Sequence, residues 1–372
     1  MRTMVTGGGT GGHVYPALSA LDALVADEAH AAARASDILW VGSVDGVERD
    51  ILGRTAYAYA AVSTGPLRGA NPLQALRSVA QIARGTREAL ALVERWKPEA
   101  VLATGGYVSV PLALAARLRH VPLLLYLPDM EPGLAVKLLA RIAARVAVSF
   151  EPAAAFFGRK AVVTGYPVRQ ALFDTDRRDA RQQLALAEDE PVVLVMGGSR
   201  GARSINQAVQ AGLTTLLARA QLVHVTGPLD FDALRQAQQT LPAELAARYH
   251  VYAYLHEEMV PALVAADLVI ARSGAATLGE LPAVGAPAIL VPYPYAGQHQ
   301  RLNAAYLADA GAAVVLEDEH LGEELLPTLL RLLDDPATLS QMSAAARAKS
   351  VPDAARRIAQ ELVAIARGEE HD

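Results

Sequence analysis

Short apolar runs alternate with alanine- and leucine-rich segments of helical length along almost the whole chain. The β-rich runs predict strands at 2–6, 38–42, 57–62, 100–104, 123–126, 146–149 and 161–164, then at 192–196, 222–226, 251–254, 268–271, 288–291 and 313–316. Between them, segments such as 72–94 and 110–118 repeat apolar residues with the helical period. This rhythm is that of doubly wound parallel sheets, and runs without alternation, such as Val192–Met196, predict strands covered on both faces. The rhythm pauses once, in the polar stretch from Gly165 to Pro191, and a new strand–glycine–helix unit follows. The boundary is therefore placed near 165–170. The expectation is an α/β chain of two Rossmann-like domains, 1–166 and 167–350, whose sheets face a cleft. A closing helix at about 353–368 is expected to pack back on the first domain.

Composition narrows the class. A chain of 372 residues suits two domains, and 52% apolar with 20% charged residues excludes disorder. A net charge of −5 gives no electrostatic case for a nucleic-acid partner. The absence of cysteine removes disulfides and thiolate metal sites and fits a reducing compartment. No secretory signal pattern opens the chain, and no apolar run reaches membrane-spanning length: that from Val110 breaks at Arg117, that from Leu268 at Arg272. The expectation is a soluble protein or one attached at a membrane surface.

Three strands end in glycine pairs, GGGTGGH (7–13), TGGYVS (104–109) and GGSRGARSIN (197–206), each before a predicted helix. Glycine lets the main chain turn sharply, and the helix start behind it offers unpaired N–H groups that favour phosphate. One such turn is as often a packing device; three in one chain point to a ligand. The first also matches the dinucleotide fingerprint. A dinucleotide site wants an acid at the end of the second strand, and the nearest, Asp45, comes two residues late. His13 either caps its helix or, on a turn facing the cleft, serves as a base whose pKa the helix start lowers. Glu280, after an SGA turn, either lies on a solvated face or accepts hydrogen bonds from vicinal ribose hydroxyls. Gln300 and Asn303, three apart, either read a sugar or cap a helix.

The motifs GGTGGHVYPAL, TGGYVSVP, VVTGYPVR, GGSRGARSIN, RSGAATLGEL and GQHQRLNA, in this order from Gly8 to about Ala313, resemble the MurG-type transferases of glycosyltransferase family 28. The resemblance implies a GT-B fold and an inverting transfer of N-acetylglucosamine from UDP-N-acetylglucosamine to lipid I, forming lipid II at the cytoplasmic face of the bacterial membrane. By this resemblance Glu280 holds the ribose, Ser199 the phosphates and Arg169 the diphosphate. Gln300 meets the donor sugar, and Leu255, His256 and Met259 lie by the uracil. Thr10, Gly11, Gly12 and Asp129 join the donor contacts. Gly9, Gly105, Gly106 and Tyr107 face the acceptor pyrophosphate, with His13 as base. Where the family carries His-Glu-Gln-Asn, this chain reads Tyr126-Leu127-Pro128-Asp129. Aspartate keeps the acceptor atoms and loses the amide donor.

No metal ligand or cofactor is expected: Asp174-Thr175-Asp176 spells a metal motif but lies in the polar linker. The stretch from Ile51 to Arg87 holds Arg54, Arg68, Arg77, Arg84 and Arg87 and no acid, with Leu73, Leu76, Ala80 and Ala83 at helical spacing beside Ile82. It either packs on the core or meets anionic lipid headgroups; the resemblance favours the membrane. The alternatives are a transferase with another lipid-linked acceptor or UDP-sugar, a UDP-N-acetylglucosamine epimerase, and a non-catalytic nucleotide-binding module.

Overall fold

The computed structural model describes residues 1–26, 33–65, 72–198, 201–295 and 299–369, the side chains of 72–76 excepted. The chain divides into two compact units, Met1–Val168 with Pro352–Asp372, and Arg169–Val351.

The first unit is built on β1 (Thr3–Thr6), β2 (Ile38–Gly42), β3 (Ala58–Ala61), β4 (Ala100–Ala103), β5 (Leu123–Leu127), β6 (Arg145–Val148) and β7 (Ala161–Val163). All pair in parallel, in the order β3-β2-β1-β4-β5-β6-β7. Successive side chains point to opposite faces of a strand, so each strand feeds two cores. Met4, Val101, Ala103, Leu123 and Leu125 meet α3 (Pro72–Trp96) and α4 (Val110–Leu118) on one face. Val5, Trp40, Leu102 and Leu124 meet α1 (Gly11–Ala26) on the other. The helix leaving β1 and the helix leaving β4 thus take opposite faces. That makes the gap between these two strands the switch point where a parallel sheet opens at its carboxyl ends.

The α1 face is closed by the C-terminal helix, Ala354–Ala366, through Ile358, Ala359, Leu362 and Ile365. Its Glu361 accepts from the nearly buried Arg145 Nη1 at 2.6 Å, which ties it to the start of β6. On α3 the buried line runs through Ser78, Gly85, Ala89 and Val93, with Ile82 packed beside it. Ala80 and Ala83 are exposed, so the apolar line expected through them is displaced around the helix. Arg68 lies outside the described residues, as do the side chains of Leu73 and Leu76.

The second unit carries β8 (Val192–Met196), β9 (Gln221–Val225), β10 (Tyr249–Tyr252), β11 (Leu268–Ala271), β12 (Ala288–Leu290) and β13 (Ala313–Val315), parallel in the order β10-β9-β8-β11-β12-β13. Its switch point lies between β8 and β11. The polar linker becomes α5 (Arg177–Gln183), capped by Asp176, whose carboxylate accepts from the N–H groups of Arg178 and Asp179. Asp267 staples α5 to the sheet: it accepts from Arg181 Nη2 (2.7 Å), from the Val192 N–H (2.8 Å) and from Arg177. No helix among the described residues is long and apolar enough to cross a membrane.

Both tryptophans, Trp40 and Trp96, lie in the first unit. Leu362→Ala empties a site of which only 1% is exposed. It should lower the fluorescence-detected unfolding free energy by about 2–5 kcal/mol. An unchanged denaturant midpoint would mean that the C-terminal helix does not support that core.

Candidate active site

In the first unit the turn after β1 and the turn after β4 meet at the switch point. Gly105 and Gly106 have φ of +99° and +76°, a conformation that side chains strain to adopt. Space forbids them too: a Cβ on Gly106 would stand 2.7 Å from the Gly8 carbonyl, and one on Gly105 would stand 3.2 Å from His13 Cε1. The second glycine turn therefore lies flat against the first and against the imidazole. His13 sits in the first turn of α1, its N–H donating to the Thr10 carbonyl (3.2 Å) and its carbonyl accepting from Thr104 Oγ1 (2.6 Å). Ser109 Oγ donates to the Gly105 carbonyl at 2.6 Å and holds the second turn in place. His13 Nδ1 is buried without a hydrogen bond, so Nε2 is the nitrogen the ring offers.

Burial pushes the His13 pKa below the ordinary value of 6.5, against the Asp129 carboxylate, which pulls it up. Asp129 lies two residues beyond β5, the strand on the far side of β4. Gly11 and Gly12 open α1 with half-buried main chain; Gly9, Thr10 and the Tyr107 ring are exposed. Tyr126 and Leu127 are buried, the tyrosine hydroxyl sharing a 2.6 Å hydrogen bond with Ser149 Oγ.

Sequence reasoning missed Glu48, in α2 (Val47–Leu52). Asp45 was the nearest acid by position, but it is Glu48 that reaches the fingerprint: its carboxylate is fully buried and accepts from the Gly9 N–H. The available signal was the set of glycines around it, Gly42 and Gly46 as well as Gly8, which leave room for a side chain. Gly9 accordingly does not present its N–H freely to a pyrophosphate.

In the second unit, Gly197 and Gly198 follow β8 and lead to α6 (Arg203–Ala211); Ser199 lies outside the described residues. The turn is held from below by Asn206, whose Nδ2 donates to the Thr226 carbonyl and to Asp230, both at 2.8 Å. Its Oδ1 therefore accepts from His224 Nε2 (3.0 Å), and His224 Nδ1 accepts from Tyr249 (2.9 Å). Burial lowers the His224 pKa to about 3, so its imidazole stays neutral.

After β11, Arg272 is spent on structure. It pairs with Asp318, donates to Ser204 Oγ (2.7 Å) and reaches the carbonyls of Val291 and Pro292. Glu280, in α7 (Thr277–Val284), is half-buried, its pKa raised by burial and held back by the Arg169 cation. Arg169 donates to the His256 carbonyl at 3.5 Å, so Arg169, His256 and Glu280 form one cluster.

Leu255 is buried, only 3% exposed. Met259 opens the helix beyond it and is half-buried. In α8 (His299–Ala308), Gln300 Oε1 accepts from the Tyr293 N–H (2.8 Å). Asn303 is buried and donates from Nδ2 to the Ser273 carbonyl (3.0 Å), while its Oδ1 has no hydrogen-bond partner among the described residues. The residues assigned to the donor thus fall in both units, with Thr10, Gly11, Gly12 and Asp129 in the first and the others in the second.

The glycosyltransferase family 28 N-terminal domain matches residues 3–148, and the C-terminal domain of the same family matches residues 192–358. The UDP-N-acetylglucosamine–N-acetylmuramyl-(pentapeptide) pyrophosphoryl-undecaprenol N-acetylglucosamine transferase of Roseiflexus sp. (strain RS-1) is 43% identical over 413 aligned residues, 96% of this chain and 94% of the relative. Among solved structures, MurG of Acinetobacter baumannii superposes with a TM-score of 0.74 at 28% identity, covering 97% of this chain and 99% of that one. A UDP-N-acetylglucosamine 2-epimerase from Neisseria meningitidis, bound to UDP-N-acetylglucosamine, reaches 0.67 at 15% identity over 98% and 100%, a likeness of fold alone. The two domain matches and the near-full-length relative agree: the chain belongs to glycosyltransferase family 28.

Proposed function

We propose that the protein transfers N-acetylglucosamine from UDP-N-acetylglucosamine to the muramyl sugar of undecaprenyl-pyrophosphate-linked lipid I, forming lipid II for peptidoglycan. The observation that carries the reading is the 43% identity, over nearly the whole of both chains, to a transferase whose name specifies this donor and this acceptor. The epimerase alternative keeps only the shared fold.

In this reading the first unit takes the lipid-linked acceptor and the second takes the UDP-sugar. The acceptor hydroxyl attacks the anomeric carbon from the face opposite UDP, its proton passes to His13 Nε2, and the configuration inverts. Burial keeps the imidazole neutral near pH 7, the form that accepts a proton. The negative charge left on UDP meets Arg169 and the N–H groups of the turn after β8. No step in this scheme calls on a metal or a redox cofactor. Glu280 receives the ribose hydroxyls, and the Arg169 cation opposes the rise that burial gives its pKa.

The attachment is peripheral, at the cytoplasmic face. What supports it is the outer side of α3, where Arg77, Arg84 and Arg87 are exposed on one face, Arg84 paired with Glu88.

His13→Ala should reduce transfer to a lipid I analogue roughly a hundredfold or more; a rate within a few-fold of the parent removes the base assignment. In the parent the acid limb of kcat/KM should fall below pH 6.5, and Asp129→Asn, which deletes the opposing charge, should move it lower still. A changed donor preference with an unmoved limb would instead make Asp129 a sugar contact. Glu280→Gln should raise the KM for UDP-N-acetylglucosamine by about 10–100-fold, the size of a lost charged hydrogen bond; an unchanged KM places the ribose elsewhere. Replacing Arg77 and Arg87 by alanine should weaken co-sedimentation with phosphatidylglycerol vesicles by roughly tenfold or more. Equal binding by parent and variant would locate the membrane contact off α3.

A further inference from the structure

Glu48 is an expensive residue. Its side chain is fully buried, and among the described residues it forms no ion pair. Three donors hold it instead: the Ser43 N–H (2.9 Å) and Ser43 Oγ (2.5 Å) on Oε1, and the Gly9 N–H (3.3 Å) on Oε2. The surroundings are cut to fit. A Cβ on Gly46 would stand 2.1 Å from Oε1, one on Gly8 2.5 Å from Oε2, and one on Gly42 2.9 Å from Cγ. Tyr59 closes the far side, donating to the Ser43 carbonyl, and its hydroxyl is held well above the ordinary range by burial and by the Glu48 charge. A neutral glutamine would fill the same space and spare the cost of burying an anion, but with its one acceptor oxygen kept by the two Ser43 donors it would turn its NH2 group on the Gly9 N–H. Only a carboxylate both holds the Gly9 N–H and places negative charge behind it.

That charge stands directly behind an exposed glycine in a turn whose other N–H groups, at Gly11 and Gly12, lead into the positive end of α1. An anion approaching the turn meets attraction at the helix start and repulsion at Gly9. We propose that Glu48 is a positioning residue for the acceptor: its buried carboxylate occupies the Gly9 N–H and repels phosphate there, so that the acceptor's diphosphate settles at Gly11 and Gly12, beside His13, two glycines that the family resemblance assigns to the donor instead. This rests on the reading that the first unit binds the lipid-linked diphosphate. Without the charge, the diphosphate gains a second seat at Gly9, two residues along the chain. A shift of even 1 Å in the attacking hydroxyl costs on the order of a hundredfold in rate.

The test is Glu48→Gln, assayed with a lipid I analogue and with inorganic pyrophosphate as an inhibitor competing with the acceptor. The variant should lose at least tenfold in kcat, bind the acceptor with an equal or lower KM, and be inhibited by pyrophosphate several-fold more strongly. A merely structural role moves these readouts the other way, with weaker pyrophosphate inhibition and a raised KM. Either that pattern or parental kinetics overturns the inference. Glu48→Asp, which keeps the charge and shortens the reach, guards against a glutamine variant that does not fold. Its pyrophosphate inhibition should stay within about twofold of the parent, and markedly stronger inhibition would show that the charge is not the cause. If the parent protein transfers no sugar to the lipid I analogue, the functional reading fails, whatever the variants do.

Discussion

The constraint on which the rest depends is the point in each parallel sheet where chain direction across the sheet reverses. Between β1 and β4 the outgoing helices depart to opposite faces, so among the described residues the two glycine turns, not a helix, cover the carboxyl ends of those two strands. Main-chain N–H groups left over there must be satisfied by a side chain, by water or by a ligand. Each unit uses that gap in the same way. A glycine turn follows the first strand, a second short turn follows its neighbour, and polar side chains beneath fix the two together. In the first unit these are Thr104, Ser109 and Glu48; in the second, Asn206, Ser204 and Arg272.

The fold was legible because its signal is repetitive. Among the described residues thirteen strands alternate with helices, three of them ending in glycine pairs, and apolar strands such as Val192–Met196 declare their burial by composition alone. The site was legible where a motif and a turn coincide, as at His13, Gly105 and Gly106. It was not legible where a side chain acts across the fold. Glu48 in the first turn of a short helix looks like a solvent-facing acid; only the pairing of β2 with β1 brings it under Gly9. Asn303 looks like a sugar contact because it shares a helical face with Gln300, yet its neighbour in space is the carbonyl of Ser273. The α3 stripe failed for another reason. Alanine is compatible with either face of a helix, so Ala80 and Ala83 carry little information, whereas Gly85 is placed by the Ser63 carbonyl, 1.8 Å from where its Cβ would be.

The two glycine turns are held by different groups. The first is held by the buried Glu48 carboxylate, and the second by a histidine–asparagine pair whose amide also donates to Asp230. Around His13 desolvation works against the Asp129 carboxylate and a hydrogen bond to the Thr104 main chain. The departure to Asp129 therefore acts on the basicity of a neighbour as well as on what a sugar would meet.

The path of the chain through the two units orders how they can be made. Arg169–Val351 is one continuous segment and holds everything its own sheet requires. The first unit is interrupted: Leu362 and its neighbours, which cover Trp40 and Leu102, lie beyond the whole of the second unit in sequence. During vectorial synthesis the unit begun first is completed second. It carries an uncovered apolar sheet face while the ribosome makes the intervening segment, and the helix that ends the wait seals α1, the element that carries His13.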